Sequence, residues 1–193
     1  MKVKYTFYIV GVGGTGSLFA RDLPQLLIGT NHKMVLIDGD IVAKKNVARQ
    51  SYQLQDVGLN KAIALAKKIN SFYDIQCEAI DKYITLNELA ERIKKDSSVP
   101  VIVGCVDNDA TRKLLEETFK KQKAAVYIDS ANSAYSGNVF VTVKSNKDIH
   151  GKLRSEVYDL KNDKKPTDKS CQEYVSEGNL QYMVTNAKMA VCI

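Results

Sequence analysis

Gly11, Gly13, Gly14 and Gly16 fall within the run Gly-Val-Gly-Gly-Thr-Gly, directly after the apolar stretch Phe7-Tyr8-Ile9-Val10. An apolar, β-branched stretch that enters a glycine cluster and leaves into Ser17-Leu18-Phe19-Ala20 reads as strand, tight turn and helix. Such a turn aims several backbone N–H groups and the positive end of a helix at one point, where a phosphate is stabilised. Side chains there would block the ligand, and some turn residues require positive φ, so glycine suits the task. NAD, FAD and nucleotide proteins all use such loops, so the loop specifies an anion and not a reaction. Asp38 ends the next apolar run, 22 positions beyond Gly16. A nucleotide-binding βαβ unit places there the acid that hydrogen-bonds a ribose hydroxyl; the bland alternative is an acid that satisfies a turn. Up to Asp38 an NAD-dependent oxidoreductase fits as well as an ATP-binding protein.

Other residues limit the chemistry. Cys77, Cys105, Cys171 and Cys192 contain no Cys-x-x-Cys pair, which gives no disulfide framework and no expectation of a structural zinc. Cys77 and Cys105 lie in apolar runs and read as small core residues. Cys171, in Lys-Ser-Cys-Gln-Glu, is the thiol in a polar setting that could serve as an acceptor nucleophile. His32 and His150 are the only histidines, so a His-based dyad is poorly supplied. The net charge is +6, and residues 144–170 hold seven Lys and one Arg against five acids. Those positives interleave with acids and are almost free of aromatics, which reads as a solvated mobile loop and not a nucleic-acid surface; an acidic protein partner would suit the same charge. No apolar run is long enough to span a membrane and no signal peptide opens the chain, so a cytoplasmic protein is expected.

These residues need a scaffold. At 193 residues the chain fits one domain, or one domain with a long excursion. Strands are predicted over 4–10, 33–38, 75–80, 99–106, 124–128 and 138–144, with helices over 17–27, 59–70, 86–95 and 109–122. Thr85-Leu-Asn-Glu88 is a capping box that starts the third helix, and Pro24 should kink or end the first one early. The alternation implies an α/β, Rossmann-like, doubly wound and mostly parallel sheet with helices on both faces. In such sheets ligands bind beyond the C-terminal strand ends, where the glycine turn, Asp38 and Asp107 fall. Residues 1–144 are expected to form the nucleotide-binding domain, 145–170 a long, basic, flexible crossover loop, and 171–193 a C-terminal helical segment of the same domain, docked or cut short.

Beyond Asp38 the chain reads Asp38-Gly-Asp40, then Asn46-Val-Ala-Arg49-Gln50, Gly58, Lys61, and Val106-Asp107-Asn108-Asp109-Ala-Thr-Arg112. This closely resembles the ThiF/MoeB/E1-like superfamily, ATP-dependent activators of ubiquitin-like and sulfur-carrier proteins. That family's pattern is a GxGGxGS loop, a strand ending D-x-D, N-x-x-R-Q, a Lys opening the next helix, and a D-N pair after the fourth strand. The resemblance covers roughly residues 5–144, and more weakly 170–190. It implies an adenylyltransferase: a C-terminal carboxylate attacks the α-phosphate of ATP, giving an acyl-AMP and pyrophosphate with Mg²⁺. Asp38 would bind ribose; Asn46, Arg49 and Lys61 would engage the phosphates, with Arg49 offering planar donors and Lys61 a point charge. Asp107 would hold the metal, and Asp40, Gln50 and Asn108 share the crevice with less defined tasks. Arg112 reads as a structural partner of an acid. The implied partner is a small ubiquitin-like or sulfur-carrier protein, or a peptide, held near Asn132–Gly137; homodimers are common in the family. Two departures stand out, the missing Cys-x-x-Cys pairs and a first strand with no helical arm ahead of it. They leave open a non-catalytic ATP-binding module of the same fold. An NAD-dependent oxidoreductase is the remaining alternative and gives Arg49 and Lys61 no role.

Overall fold

Strands β1 (Tyr5–Val10) and β2 (Lys33–Ile37) send successive side chains to opposite faces, and both faces take apolar ones. Ile9, Met34 and Leu36 join Ala20, Leu23, Leu65 and Ile69 in one core; Tyr8, Val10, Val35 and Ile37 join Leu89, Ile93, Leu115 and Phe119 in the other. The computed structural model that shows this describes residues 3–133, 135–161 and 181–193. Within them one sheet is completed by β3 (Gln76–Ile80), β4 (Val99–Gly104), β5 (Ala124–Asn132), β6 (Gly137–Ser145) and β7 (Asp148–His150). The order is β3-β2-β1-β4-β5-β6-β7, parallel as far as β5 and antiparallel beyond. The helices are α1 (Gly14–Asp22), α2 (Pro24–Leu27), α3 (Lys61–Phe72), α4 (Leu86–Lys95), α5 (Asp109–Lys121) and α6 (Gln181–Cys192). Helices α1–α3 serve the first core and α4 and α5 the second, so the sheet is doubly wound as expected. None of the described helices is long and apolar enough to cross a membrane.

Register brings the functional ends together. Val10 pairs with both Ile37 and Gly104, so β1, β2 and β4 end level. The N–H of Gly11 then donates to the Ile37 carbonyl and that of Cys105 to the Val10 carbonyl, each at 2.9 Å. The chain order reverses between β1 and β4, which opens the crevice at this edge.

Three details differ from the sequence expectation. Helix α1 begins at Gly14, three residues early, though it ends early at Asp22 as Pro24 led one to expect; Pro24, lacking an N–H, takes the first position of α2. Strand β5 runs on to Asn132 because β6 pairs with it through Asn132 and Gly137. Residues 145–161, expected to belong to a flexible loop, instead carry β7, a turn with Asn146 at φ 57°, and a 3-10 turn at Arg154–Glu156. Leu153, Arg154 and Leu160 of this segment are buried. Residues 162–170, and Cys171 with them, lie outside the described residues.

Arg154 explains why this segment packs. Asp129 on β5 has no exposed surface and accepts hydrogen bonds from Arg112 of α5 and from Arg154. The Arg154 guanidinium also lies 4.8 Å from the Phe140 ring centroid. A buried carboxylate requires such partners, and removing it would strand two buried cations. Asp129→Ala is therefore expected to cost about 3–5 kcal/mol, read as a lowered urea midpoint. An unchanged midpoint would contradict the role given to the trio.

Candidate active site

The level strand ends open into a cavity of about 610 Å³. Its walls come from the glycine turn, the end of β2, the segment before α3, the end of β4, the end of β5, residues 154–160 and α6. Two glycines explain the turn. Gly11 has φ +84°, and a Cβ there would lie 2.7 Å from the Cys105 carbonyl oxygen. A Cβ on Gly16 would overlap the Gly11 carbonyl oxygen, so Gly16 serves packing, and it does not line the cavity.

Asp38 accepts from the N–H of Val12 and of Asp40, both at 2.8 Å, one on each carboxylate oxygen. Burial raises its pKa above the ordinary 3.8, against the opposing pull of Lys61 and those two N–H groups. Lys61 opens α3, and its Nζ lies 2.7 Å from Asp40 Oδ2. The other Asp40 oxygen accepts from the Tyr83 hydroxyl. Burial pushes the Asp40 pKa up, but the hydrogen bonds from Lys61 and Tyr83 outweigh it and hold the group below 3.8. Asn60 fixes this corner. It caps α3 by accepting from Ile63 N–H at 3.1 Å, and its amide donates to the carbonyls of Asp38 and Asp40 at 2.8 and 3.1 Å.

Arg49 and Gln50 are buried in the cavity wall. They are held by Asn46, whose carbonyl accepts from both of their N–H groups. Asn46 itself is 1% exposed and accepts from Ala43 N–H, so it lies beneath the loop and outside the cavity lining, away from the phosphate role expected of it. Asp107 is exposed at the end of β4, on the cavity rim. Asn108, expected in the crevice, lines it and also caps α5, accepting from Thr111 N–H at 2.9 Å. The glycines 11, 13 and 14, Asp38, Asp40, Arg49, Gln50, Lys61, Asp107 and Asn108 thus share one cavity, while Gly16 and Asn46 support it.

Neither histidine lines the cavity. Cys105 does, but burial pushes its thiol up to about 12, which keeps it protonated at neutral pH. Among the described residues no group of three or more His, Cys, Asp or Glu is arranged for a metal. Sequence reasoning placed the partner near Asn132 but missed Thr15, Tyr83, Ser130 and Asn186, which line the cavity wall with it. The one local signal was an acid, Asp129, at the end of the apolar run Ala124–Ile128, which requires a buried partner nearby.

Comparison with known proteins agrees with this geometry. The family model described as the ThiF family matches residues 3–191. Ubiquitin-like modifier-activating enzyme 5 of Branchiostoma floridae is 32% identical over 149 residues, covering 71% of this chain and 36% of that protein. The Xenopus laevis enzyme of the same name is 31% identical, covering 70% and 36%. The chain therefore spans about a third of the length of these curated relatives. Among solved structures, PaaA superposes with a TM-score of 0.63 at 21% identity, covering 98% of this chain and 53% of its own, a likeness of fold. The E. coli tRNA N6-threonylcarbamoyladenosine dehydratase TcdA, solved in complex with ATP, superposes at 0.55 with 25% identity, covering 66% and 50%.

The Asp40 environment yields a pH prediction. A carboxylate whose folded pKa is depressed stabilises the fold above its unfolded pKa and loses that contribution as pH falls through the folded value. Asp40→Asn should thus be less stable than wild type at neutral pH, and the difference in urea midpoint should close on acidification below 3.8. A difference that does not change with pH would refute this.

Proposed function

The chain belongs to the ThiF family, and on that premise we propose that it is an ATP- and Mg²⁺-dependent adenylyltransferase. Its substrate is the C-terminal carboxylate of a small ubiquitin-like or sulfur-carrier protein, or of a peptide, which it converts to an acyl-AMP with release of pyrophosphate. The observation that supports this most directly is that Arg49, Lys61 and Asp107, from three separate segments, line one cavity with the glycine turn and Asp38. The relatives named as modifier-activating enzymes and the ATP complex of TcdA support the same reading.

Each residue has a task that its surroundings suit. The two Asp38 oxygens keep lone pairs for ribose hydroxyls after accepting from Val12 and Asp40. The glycine turn and the start of α1 present N–H groups to the phosphates. Attack at the α-phosphate builds charge on the departing pyrophosphate, and Arg49 and Lys61 neutralise it from fixed positions. Asp40 meanwhile holds the Lys61 ammonium in place, so little reorganisation is required when the triphosphate arrives. Asp107 is the carboxylate that would hold Mg²⁺, which binds through one or two carboxylates together with substrate phosphates and water. That donor set fits the absence of a denser ligand cluster among the described residues. When bound, the ion would spread the charge of the leaving group. The same reading keeps residues 1–144 as the nucleotide-binding domain, with 145–161 packed onto it, and a cytoplasmic homodimer without nucleic acid or structural zinc; Cys171 is its candidate acceptor thiol.

Pyrophosphate exchange into ATP, in the presence of a carrier ending in Gly-Gly, tests the proposal. Lys61→Ala and Arg49→Ala should each lower exchange by on the order of a hundredfold or more. Asp107→Ala should abolish it with an unchanged circular dichroism spectrum, since Asp107 is exposed. Normal exchange in the Asp107 variant would remove the metal assignment. ATP–Mg²⁺ at a hundredfold its Kd should stabilise the fold by about 2.7 kcal/mol, and NAD at the same concentration should not; the reverse result would favour a dehydrogenase.

A further inference from the structure

The wall of the cavity opposite Lys61 is built differently. Asn186 of α6 is 2% exposed, and its Oδ1 accepts from Thr15 Oγ1 at 3.3 Å and from Asn132 Nδ2 at 2.9 Å. Those two bonds orient the amide, and its Nδ2 is left buried with no hydrogen-bond partner among the described residues. The hydroxyl of Ser130, a residue 3% exposed, is in the same condition. Ser130 and Asn132 stand two apart on β5 and so face the same side of the sheet, the side on which Asn186 meets Asn132. Asn186, Ser130 and the first residues of α1 all line the cavity. Buried polar groups are nearly always satisfied, and leaving a donor unmet costs about 1–3 kcal/mol. Two unmet groups in residues that line one cavity wall, beside a helix N-terminus, point to a ligand atom that accepts hydrogen bonds once these side chains turn into the cavity, since neither atom is solvent-accessible as it stands.

We propose that Asn186 Nδ2 and Ser130 Oγ donate to the acyl carbonyl oxygen of the substrate, forming the subsite that holds the carboxylate while it reacts and the acyl-AMP afterwards. This rests on the adenylyltransferase reading and deepens it. The chemistry of the donors selects the ligand. Phosphate oxygens carry full charge and are matched by Arg49, Lys61 and the glycine turn, whereas a neutral amide and a hydroxyl match a carbonyl. Position agrees. Asp38 ends β2 and Ser130 lies at the end of β5, three strand spacings away or roughly 14 Å, so a nucleotide anchored by ribose at one side leaves this wall to its co-substrate. Seating Asn186 there requires Gly14, since a Cβ at Gly14 would lie 2.6 Å from the Asn186 amide nitrogen.

The experiment compares three ligands by calorimetry: AMP, ATP and the stable acyl-AMP mimic 5′-O-(N-glycylsulfamoyl)adenosine. Asn186→Ala should weaken the glycyl mimic by about tenfold and Ser130→Ala by about threefold, the range that one lost hydrogen bond produces. AMP and ATP should keep their wild-type Kd within about twofold in both variants. Ser130→Ala removes a hydroxyl with no hydrogen-bond partner among the described residues, so it preserves the fold and decides the question alone if Asn186→Ala does not fold. Loss of ATP or AMP affinity parallel to that of the mimic would make these residues phosphate or structural contacts and overturn the inference. So would a mimic whose affinity neither variant changes, and in both cases the nucleotide reading would stand. A wild-type protein that binds none of the three would instead overturn the adenylyltransferase reading itself.

Discussion

The carboxylate of Asp129, wholly buried and gripped by two guanidiniums, is the interaction on which the cavity's far wall depends. Through Arg112 it fastens α5 to β5, and through Arg154 it draws residues 153–160 onto the sheet. Arg112 also donates to the carbonyls of Ser130 and Val106, so the same side chain holds the ends of β4 and β5 relative to one another. Burying three charges is costly, and a packed apolar trio would stabilise the fold as well or better. What ions add here is direction: each guanidinium presents several donors in a rigid plane, and those donors fix the exits of two strands that border the site. The arrangement carries one positive charge in excess, partly met by Asp109 at 3.8 Å from Arg112.

The near wall depends on a second balance of charge, set by Asp40. Without a phosphate in reach, a lysine in this wall, its side chain only 9% exposed, would be costly to keep ionised. Asp40 removes that cost, and Tyr83 in turn satisfies the other Asp40 oxygen. The ammonium is therefore held in place, and on the proposed reading an incoming phosphate would meet a preformed partner. The converse is that an anion drawn to Lys61 would compete with Asp40, so binding as proposed would draw on the glycine turn and Arg49 as well as on this one contact.

Much of this was legible in the sequence where the signal was local. Strand and helix alternation follows from periodicity, and the Thr85–Glu88 capping box starts α4 where expected. Asp38 and Lys61 were placed by spacing and by motif. Asn46 shows the limit of that approach, because an asparagine that caps a turn and one that touches a ligand have the same sequence signature, and here the cap takes its oxygen. The fold of residues 145–161 was missed since its anchors are few: five exposed residues separate the adjacent Leu153 and Arg154 from Leu160, and Arg154 is held by an acid 25 positions away. The Thr15–Asn186 bond joins residues 171 apart, a pairing that no local pattern encodes.

The glycine cluster illustrates why a motif read as one signal can conceal several causes. Gly11 answers to backbone conformation, with its φ of +84°. Gly16 answers to the Gly11 carbonyl, which any side chain would strike. Gly14 answers to a side chain from α6, the most distant helix in sequence, whose amide lies where a Cβ would be. Gly137 does the same for Met189 of that helix. Only part of the cluster, then, is explained by the approach of a phosphate; the rest lets α6 close against α1 and bring Asn186 to the cavity. A substitution at Gly14 would act on the nucleotide side and on the α6 side together, which ties the two halves of the cavity to a single turn of chain.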